Sequence, residues 1–200
     1  MIVAGLTGSI AMGKSETARM FAGLGIPVFD ADAVVHAMYA KGGAAVSAIA
    51  AKFPYAVVNG AVDRQRLGEL VLNDPVAMKA LENAVHPLVR RAEDEFLNRC
   101  RTEHRPLAIL DIPLLFETGR QRDVDRIIVV SAPAGMQRER ALARPGMTPE
   151  KFAAIAARQI SDNEKRRQAH FVVDSTKGFD HALAQVKTIV AKLMQEATTP

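Results

Sequence analysis

The 200-residue sequence predicts an α/β fold, a P-loop doubly wound five-stranded parallel sheet, and three observations predict it. Five short, almost wholly apolar runs alternate with helical periodicity, as parallel strands covered on both faces require. The first run leads directly into Gly8-Ser9-Ile10-Ala11-Met12-Gly13-Lys14-Ser15, which fits the phosphate-loop spacing G-x-x-x-x-G-K-[ST]. The interval between the second and third runs is too long for one crossover and has helical patterns of its own, so it reads as an insertion.

The expected strands, in order, are Ile2–Leu6, Ile26–Phe29, Leu107–Leu110, Ile127–Val130 and Phe171–Val173. After the loop, Thr17, Met20, Phe21 and Leu24 share one helical face, and the helix should end near Gly23 or Gly25. Residues 33–104 read as a helical insertion suited to a second substrate. It holds an Ala-rich segment (Ala44–Phe53), a polar break at Asn59-Gly60, and helical patterns at Arg64–Leu72, Pro75–His86 and Leu88–Arg101, the last two divided by Pro87. A second insertion, 141–168, opens with Pro145-Gly146 and contains a helix started by Thr148-Pro149. The closing helix, Asp180–Gln195, is amphipathic, and the residues after it should fray.

Composition narrows the function. Charged residues at 24% and hydrophobic residues at 48% describe a soluble globular protein, and no apolar run would span a bilayer. Cys100 is the only cysteine, which excludes an internal disulfide and a thiolate metal cluster and favours a cytoplasmic setting. The net charge of +4 suits anionic substrates. With two Tyr, no Trp and no basic tract, nucleic acid is not the expected partner.

The phosphate loop has a mechanism. Its backbone N–H groups converge on phosphate oxygens, and the following helix aims its positive end at the same charge. Lys14 would reach the β/γ-phosphates of a nucleoside triphosphate, and the Ser15 hydroxyl would join a Mg²⁺ shell. Leu107–Asp111 is an apolar strand ending in a carboxylate, the Walker-B pattern, so Asp111 is a second metal candidate. Asp30 and Asp32 follow the second strand. As i and i+2 of a continuing strand they would face the same way, with Asp32 the better base for a hydroxyl acceptor; alternatively one of them caps the next helix. Residues 136–167 carry eight Lys/Arg against four Asp/Glu. Arg140 and Arg144 are i,i+4 on an expected helix face, and Arg158 and Lys165 are a further same-face pair. They belong either to a lid over the triphosphate or to a solvated face with ion pairs such as Arg158–Asp162. His86 reads by default as a helix end. A regulatory GTPase would need Gly where Leu114 stands and N-K-x-D where Asn163–Arg166 stands, and both are missing.

With these pieces placed, the chain resembles the dephospho-coenzyme A kinase family nearly end to end. The resemblance is carried by Leu6-Thr7-Gly8, Asp30-Ala31-Asp32, His86-Pro87-Leu88-Val89-Arg90, Pro113-Leu114-Leu115-Phe116-Glu117, Arg140–Arg144, Gln159 and a strand ending near Asp174. It implies strand order 2-3-1-4-5, a helical acceptor-binding region and a lid. It implies transfer of the ATP γ-phosphoryl group to the ribose 3′-hydroxyl of dephospho-CoA, with Mg²⁺ as cofactor. By the family pattern, Gly8 and Ala11–Glu16 cradle ATP, and Asp32 is the base at the acceptor. Arg140 and Arg144 clamp phosphates, and His86 and Arg90 face the acceptor. A monomer acting on small molecules, with no membrane partner, is expected.

The loop departs from the family's usual Gly-Gly-Ile-Gly-Ser-Gly-Lys-Ser-Thr at Ser9, Ala11, Met12 and Glu16. Ser9 and Ala11 fit if their φ angles are negative, and Met12 fits if its side chain points outward. Glu16 suits a helix start but repels a nucleotide. Three rivals stand beside this reading: another small-molecule kinase of the same fold, a nucleotide switch without turnover, and a nucleic-acid-binding ATPase.

Overall fold

The computed structural model describes residues 1–198. Strands β1 (Ile2–Thr7), β2 (Val28–Asp30), β5 (Leu107–Asp111), β6 (Arg126–Ser131) and β7 (Phe171–Asp174) form one sheet in the order β2-β5-β1-β6-β7. Counted along the chain this is 2-3-1-4-5, the expected order. β1 pairs in parallel with β5 and with β6, and β6 in parallel with β7. Ala4, Leu6, Ile109, Ile128 and Val130 are buried at its centre, which is why these segments read as unbroken apolar runs.

Helix α1 (Lys14–Gly23) leaves the loop after β1, and Phe21 on its inner face is fully buried. The helix stops in a Schellman turn. Gly25 takes φ +77°, its N–H donates to Ala22 O, and Ile26 N–H donates to Phe21 O. The last helix, α9 (Gly178–Thr198), covers the sheet with Ala182, Val186, Ile189 and Leu193. It runs past the expected end at Gln195, so residues 196–198, expected to fray, are helical instead, and the last two positions lie outside the described residues.

The chain divides into two compact units, one made of Met1–Phe29 with the chain from Cys100 onward, the other of Asp30–Arg99. The second unit thus lies within a few residues of the expected insertion 33–104. It contains α2 (Ala31–Tyr39), α3 (Val46–Ala50), a short hairpin β3 (Val57–Val58)–β4 (Ala61–Val62), α4 (Arg64–Val71) and most of α5 (Pro75–Thr102). Its own core is Ala45, Ile49, Ala56, Val62, Leu67, Val71 and Val85. The polar break is the turn of the hairpin, with positive φ at both Asn59 (51°) and Gly60 (78°).

Pro87 does not divide α5; the helix is continuous through it. Proline removes one helical hydrogen bond and crowds the carbonyl four residues back, at Asn83. Both Asn83 and Pro87 are exposed, so the proline site faces solvent, while Leu81, Val85, Leu88 and Val89 on the other face hold the helix to the core.

The 141–168 segment is not uniform. It includes the end of α6 (Ala134–Leu142), then α7 (Pro149–Ala156) and α8 (Asp162–Gln168). Thr148 caps α7 by accepting from Lys151 N–H, and α7 has no buried residue. In α8, by contrast, Lys165 is fully buried. Lys165 and Arg158 are not a same-face pair, because Arg158 lies in the turn between the two helices. Asp162 Oδ2 accepts from the Ser131 hydroxyl at 2.7 Å and its buried Oδ1 has no partner among the described residues, so the Arg158–Asp162 pair is not formed.

Candidate active site

The phosphate loop follows β1 at the carboxyl edge of the sheet, where parallel α/β sheets bind ligands. Gly8 must be glycine, since a Cβ there would sit 2.8 Å from Val130 O in the neighbouring strand. Met12 N–H closes a turn onto Ser9 O (3.2 Å), and Gly13 leaves it at φ 96°. Thr17 N–H and Oγ1 both donate to Gly13 O at 3.1 and 3.2 Å, seating the loop on the first turn of α1. The expectation of a negative φ at Ala11 is overturned. Ala11 sits at φ 61°, the left-handed region where its methyl group crowds the following carbonyl. Met12 does not point outward either: it is 1% exposed, and its Sδ accepts from Ala132 N–H at 3.2 Å. The Ser9–Met12 turn folds this side chain over the end of β6, so a long apolar residue is accommodated where the family pattern has a small one.

Lys14 and Asp111 are brought together. Lys14 Nζ donates to Asp111 Oδ1 at 2.5 Å, and Asp111 is only 3% exposed. The Walker-B carboxylate and the loop lysine therefore form one ion pair at the sheet edge. Ser15, the next residue, is exposed. Glu16 pairs with Arg19 at 2.8 Å, but both are well exposed, so the pair offsets little of the Glu16 charge.

Arg140 and Arg144 do not share a helical face, because α6 ends at Leu142 and Arg144 follows its cap. Both nevertheless line one cleft of about 290 Å³ with Ala11, Gly13, Glu16, Ser175 and Phe179. The Arg140 guanidinium donates to Ser175 Oγ (2.9 Å) and Ser175 O (2.8 Å), and Ser175 Oγ donates to Met12 O at 2.8 Å. In this structure Arg140 thus braces the loop through Ser175. Asp174, beside it, is held below the usual carboxyl range, chiefly by hydrogen bonding from the Thr176 side chain and next by the Thr176 N–H, 2.8 Å from Oδ1.

Two glutamines grip the loop from outside. Ile10 N–H donates to Gln159 Oε1 and Gln137 Nε2 donates to Ile10 O, each at 3.0 Å. Immediately after Gln159, Ile160 N–H donates to Glu117 Oε1 at 3.0 Å, and Glu117 pairs with the buried Lys165 at 2.9 Å. Gln137 and Ser175 had no distinguishing sequence signal as site residues, since one Gln on a helix and one Ser in a loop look like surface.

In the second unit Asp30 and Asp32 are not two positions of one strand. Asp30 ends β2 and caps α2, accepting from Ala33 N–H at 2.9 Å, while Asp32 is an exposed residue in the first turn of α2. Capping is thus the role of Asp30, and Asp32 is left as the base candidate. His86 and Arg90 are exposed, one turn apart on α5. His86 is inside that helix and does not end it.

Comparison with known proteins agrees with this geometry over nearly the whole chain. The family model for dephospho-CoA kinase matches residues 1–180. The chain belongs to the dephospho-CoA kinase family. It is 54% identical over 193 residues to the dephospho-CoA kinase of Mesorhizobium japonicum, covering 96% of this chain and 97% of the relative. Among solved structures, a Thermus thermophilus protein superposes with TM-score 0.82 at 37% identity, covering 96% of this chain and 97% of that one. The dephospho-CoA kinase from Campylobacter jejuni does so with TM-score 0.68 at 25% identity and 96% coverage of both chains.

Proposed function

We propose that the protein transfers the γ-phosphoryl group of ATP to the ribose 3′-hydroxyl of dephospho-CoA, giving CoA and ADP, the last step of CoA synthesis. The observation that carries this is the Lys14–Asp111 pair beside a phosphate loop, in a chain matched by the dephospho-CoA kinase family from residue 1 to 180. The acceptor hydroxyl oxygen attacks the γ-phosphorus, the bond from that phosphorus to the β,γ-bridging oxygen breaks, and ADP leaves. Asp32 takes the hydroxyl proton. His86 and Arg90 contact the acceptor.

Lys14 turns from Asp111 to the β/γ-oxygens when the triphosphate arrives, and loop N–H groups from Ala11 to Glu16 hold the phosphates. Ser15 and Asp111 offer a hydroxyl and a carboxylate, the hard oxygen donors Mg²⁺ prefers. Among the described residues no three His, Cys, Asp or Glu side chains gather as a metal cage. When bound, Mg²⁺ neutralises phosphate charge.

Arg144 and Arg140 supply positive charge to the phosphates from the cleft side. The segment from Ala143 to Arg158, with α7 unburied, serves as the lid and keeps water from the γ-phosphate. No helix among the described residues is long and apolar enough to cross a membrane. The cytoplasm is the proposed compartment, in keeping with a single cysteine, Cys100, that forms no internal disulfide, and a monomer the proposed working unit.

The test is an assay of ADP formation with ATP and Mg²⁺ against a panel of hydroxyl acceptors. Dephospho-CoA should drive turnover far above adenylate and gluconate. ADP release that ignores the acceptor, or prefers adenylate or gluconate, overturns the proposal.

A further inference from the structure

The loop that meets the triphosphate is held mainly by side chains outside it. Its shape includes a costly angle: Ala11, a non-glycine residue, sits at φ 61°, two positions before Gly13 at φ 96°, which glycine adopts readily. Such a shape persists only where the surroundings impose it. Both polar atoms of the Ile10 backbone are engaged by side chains, the N–H by Gln159 Oε1 and the carbonyl by Gln137 Nε2.

In a trans peptide the carbonyl and the following N–H point in opposite directions. Drawing Ile10 O outward to Gln137 therefore turns Ala11 N–H the other way, towards the concave side. Ser175 does the same one step on, taking Met12 O and so turning Gly13 N–H inward. Gln159 occupies Ile10 N–H and fixes the start of the turn.

Gln159 also lies at the root of the lid. The next residue, Ile160, is tied through its N–H to Glu117, and Glu117 to Lys165, which has no exposed surface. The lid therefore joins the rest of the unit at a two-residue strap, with one residue bound to the phosphate loop and the other to the buried ion pair.

We propose that Gln137 and Gln159 are positioning residues of the phosphotransfer site, shaping the loop from outside before nucleotide binds, and that Gln159 ties that shape to the fixed end of the lid. The proposal rests on the phosphoryl-transfer reading above, and its first readout is independent of turnover.

The two glutamines have opposite chemistry, and this makes the test sharp. Gln159 works as an acceptor, so Gln159→Glu keeps the bond while the equally long Gln159→Met loses it. Gln137 works as a donor, so Gln137→Glu and Gln137→Met both lose it. Amide hydrogen exchange on the full ligand-free chain should show Ile10 exchanging at least about tenfold faster in Gln159→Met and close to the native rate in Gln159→Glu. The Ala4 and Leu6 amides of β1 should be unchanged in both.

In ATP titrations Gln137→Glu should bind about fivefold more weakly than Gln159→Glu, the loss of one partly buried hydrogen bond. The two variants carry the same added charge, so repulsion of the triphosphate largely cancels between them. Unchanged Ile10 protection in Gln159→Met overturns the proposal, as does equal loss of protection in Gln159→Glu, or equal ATP affinity of the two glutamate variants. Native protein that shows the expected exchange pattern but makes no ADP with dephospho-CoA would contradict the function and leave the brace standing.

Discussion

Lys165→Met should destabilise the protein far more than its place on a charged helix suggests. Lys165 is fully buried and Glu117 is 11% exposed, with Nζ 2.9 Å from Oε1. Removing the lysine leaves a carboxylate that still accepts from the Ile160 N–H but has lost its counter-charge, and breaking a buried pair this way costs about 3–5 kcal/mol. The residual exposure of Glu117 favours the lower end, about 3 kcal/mol, which for a chain of this size lowers Tm by roughly 6–12 °C. The double variant Glu117→Gln/Lys165→Met keeps an acceptor for Ile160 and carries no buried charge. It should recover to within about 1.5 kcal/mol of the native protein. Thermal and urea unfolding of the four proteins form a complete cycle. A single Lys165→Met variant as stable as native, or a double variant no better than the single, would refute the argument that the pair is worth more intact than half-removed.

Three further outcomes are expected. Glu16→Thr should tighten ATP binding by roughly two- to fivefold, because the exposed Arg19 pair screens little of the Glu16 charge; equal or weaker binding in a direct titration contradicts this. Gly8→Ala should lower Tm by roughly 4–8 °C, since its new Cβ meets Val130 O at 2.8 Å in a strand paired on both sides, an overpacking cost of about 2 kcal/mol. An unchanged melting curve would mean the loop can step away. The Asp174 carboxyl, depressed by Thr176, stabilises the fold fully above its ordinary value of 3.8, and that contribution is lost as the pH falls towards the lower folded value. Asp174→Asn should accordingly lose less stability than the native protein on going from about pH 6 to about pH 3, and identical losses would argue against the assignment.

The fold was legible because its signals are local. A buried parallel strand must be apolar at every position, and a phosphate loop must have its glycines and lysine at fixed offsets, so β1, β5, β6 and the loop could be read directly. A helix stop at Gly23 or Gly25 and a helix start at Thr148-Pro149 were equally visible, and the structure places the stop at Gly25. Pro87 misled because the preference of the preceding residue is a local rule, whereas α5 is held by Val85, Leu88 and Val89 packing against the rest of the second unit. At the site, Lys14 and Asp111 were each readable from their own motifs, whereas the ion pair between them was not. The left-handed Ala11 and the inward Met12 were not, since each depends on what lies across the loop: the end of β6 at Ala132, and the side chains of Gln137, Gln159 and Ser175. The role of Asp30 turned on where β2 stops, and a one-residue shift in that boundary converts a strand carboxylate into a helix cap.

Turnover of ATP and dephospho-CoA by Lys14→Met, measured beside the native protein under saturating Mg²⁺, tests the central claim most directly. With the lysine gone, the transferring phosphoryl group loses its fixed positive partner at the loop, and product formation should fall by at least about a hundredfold to a thousandfold. A Lys14→Met protein that folds normally and makes CoA within about threefold of the native rate, well under the loss expected for one transition-state contact, would contradict the account.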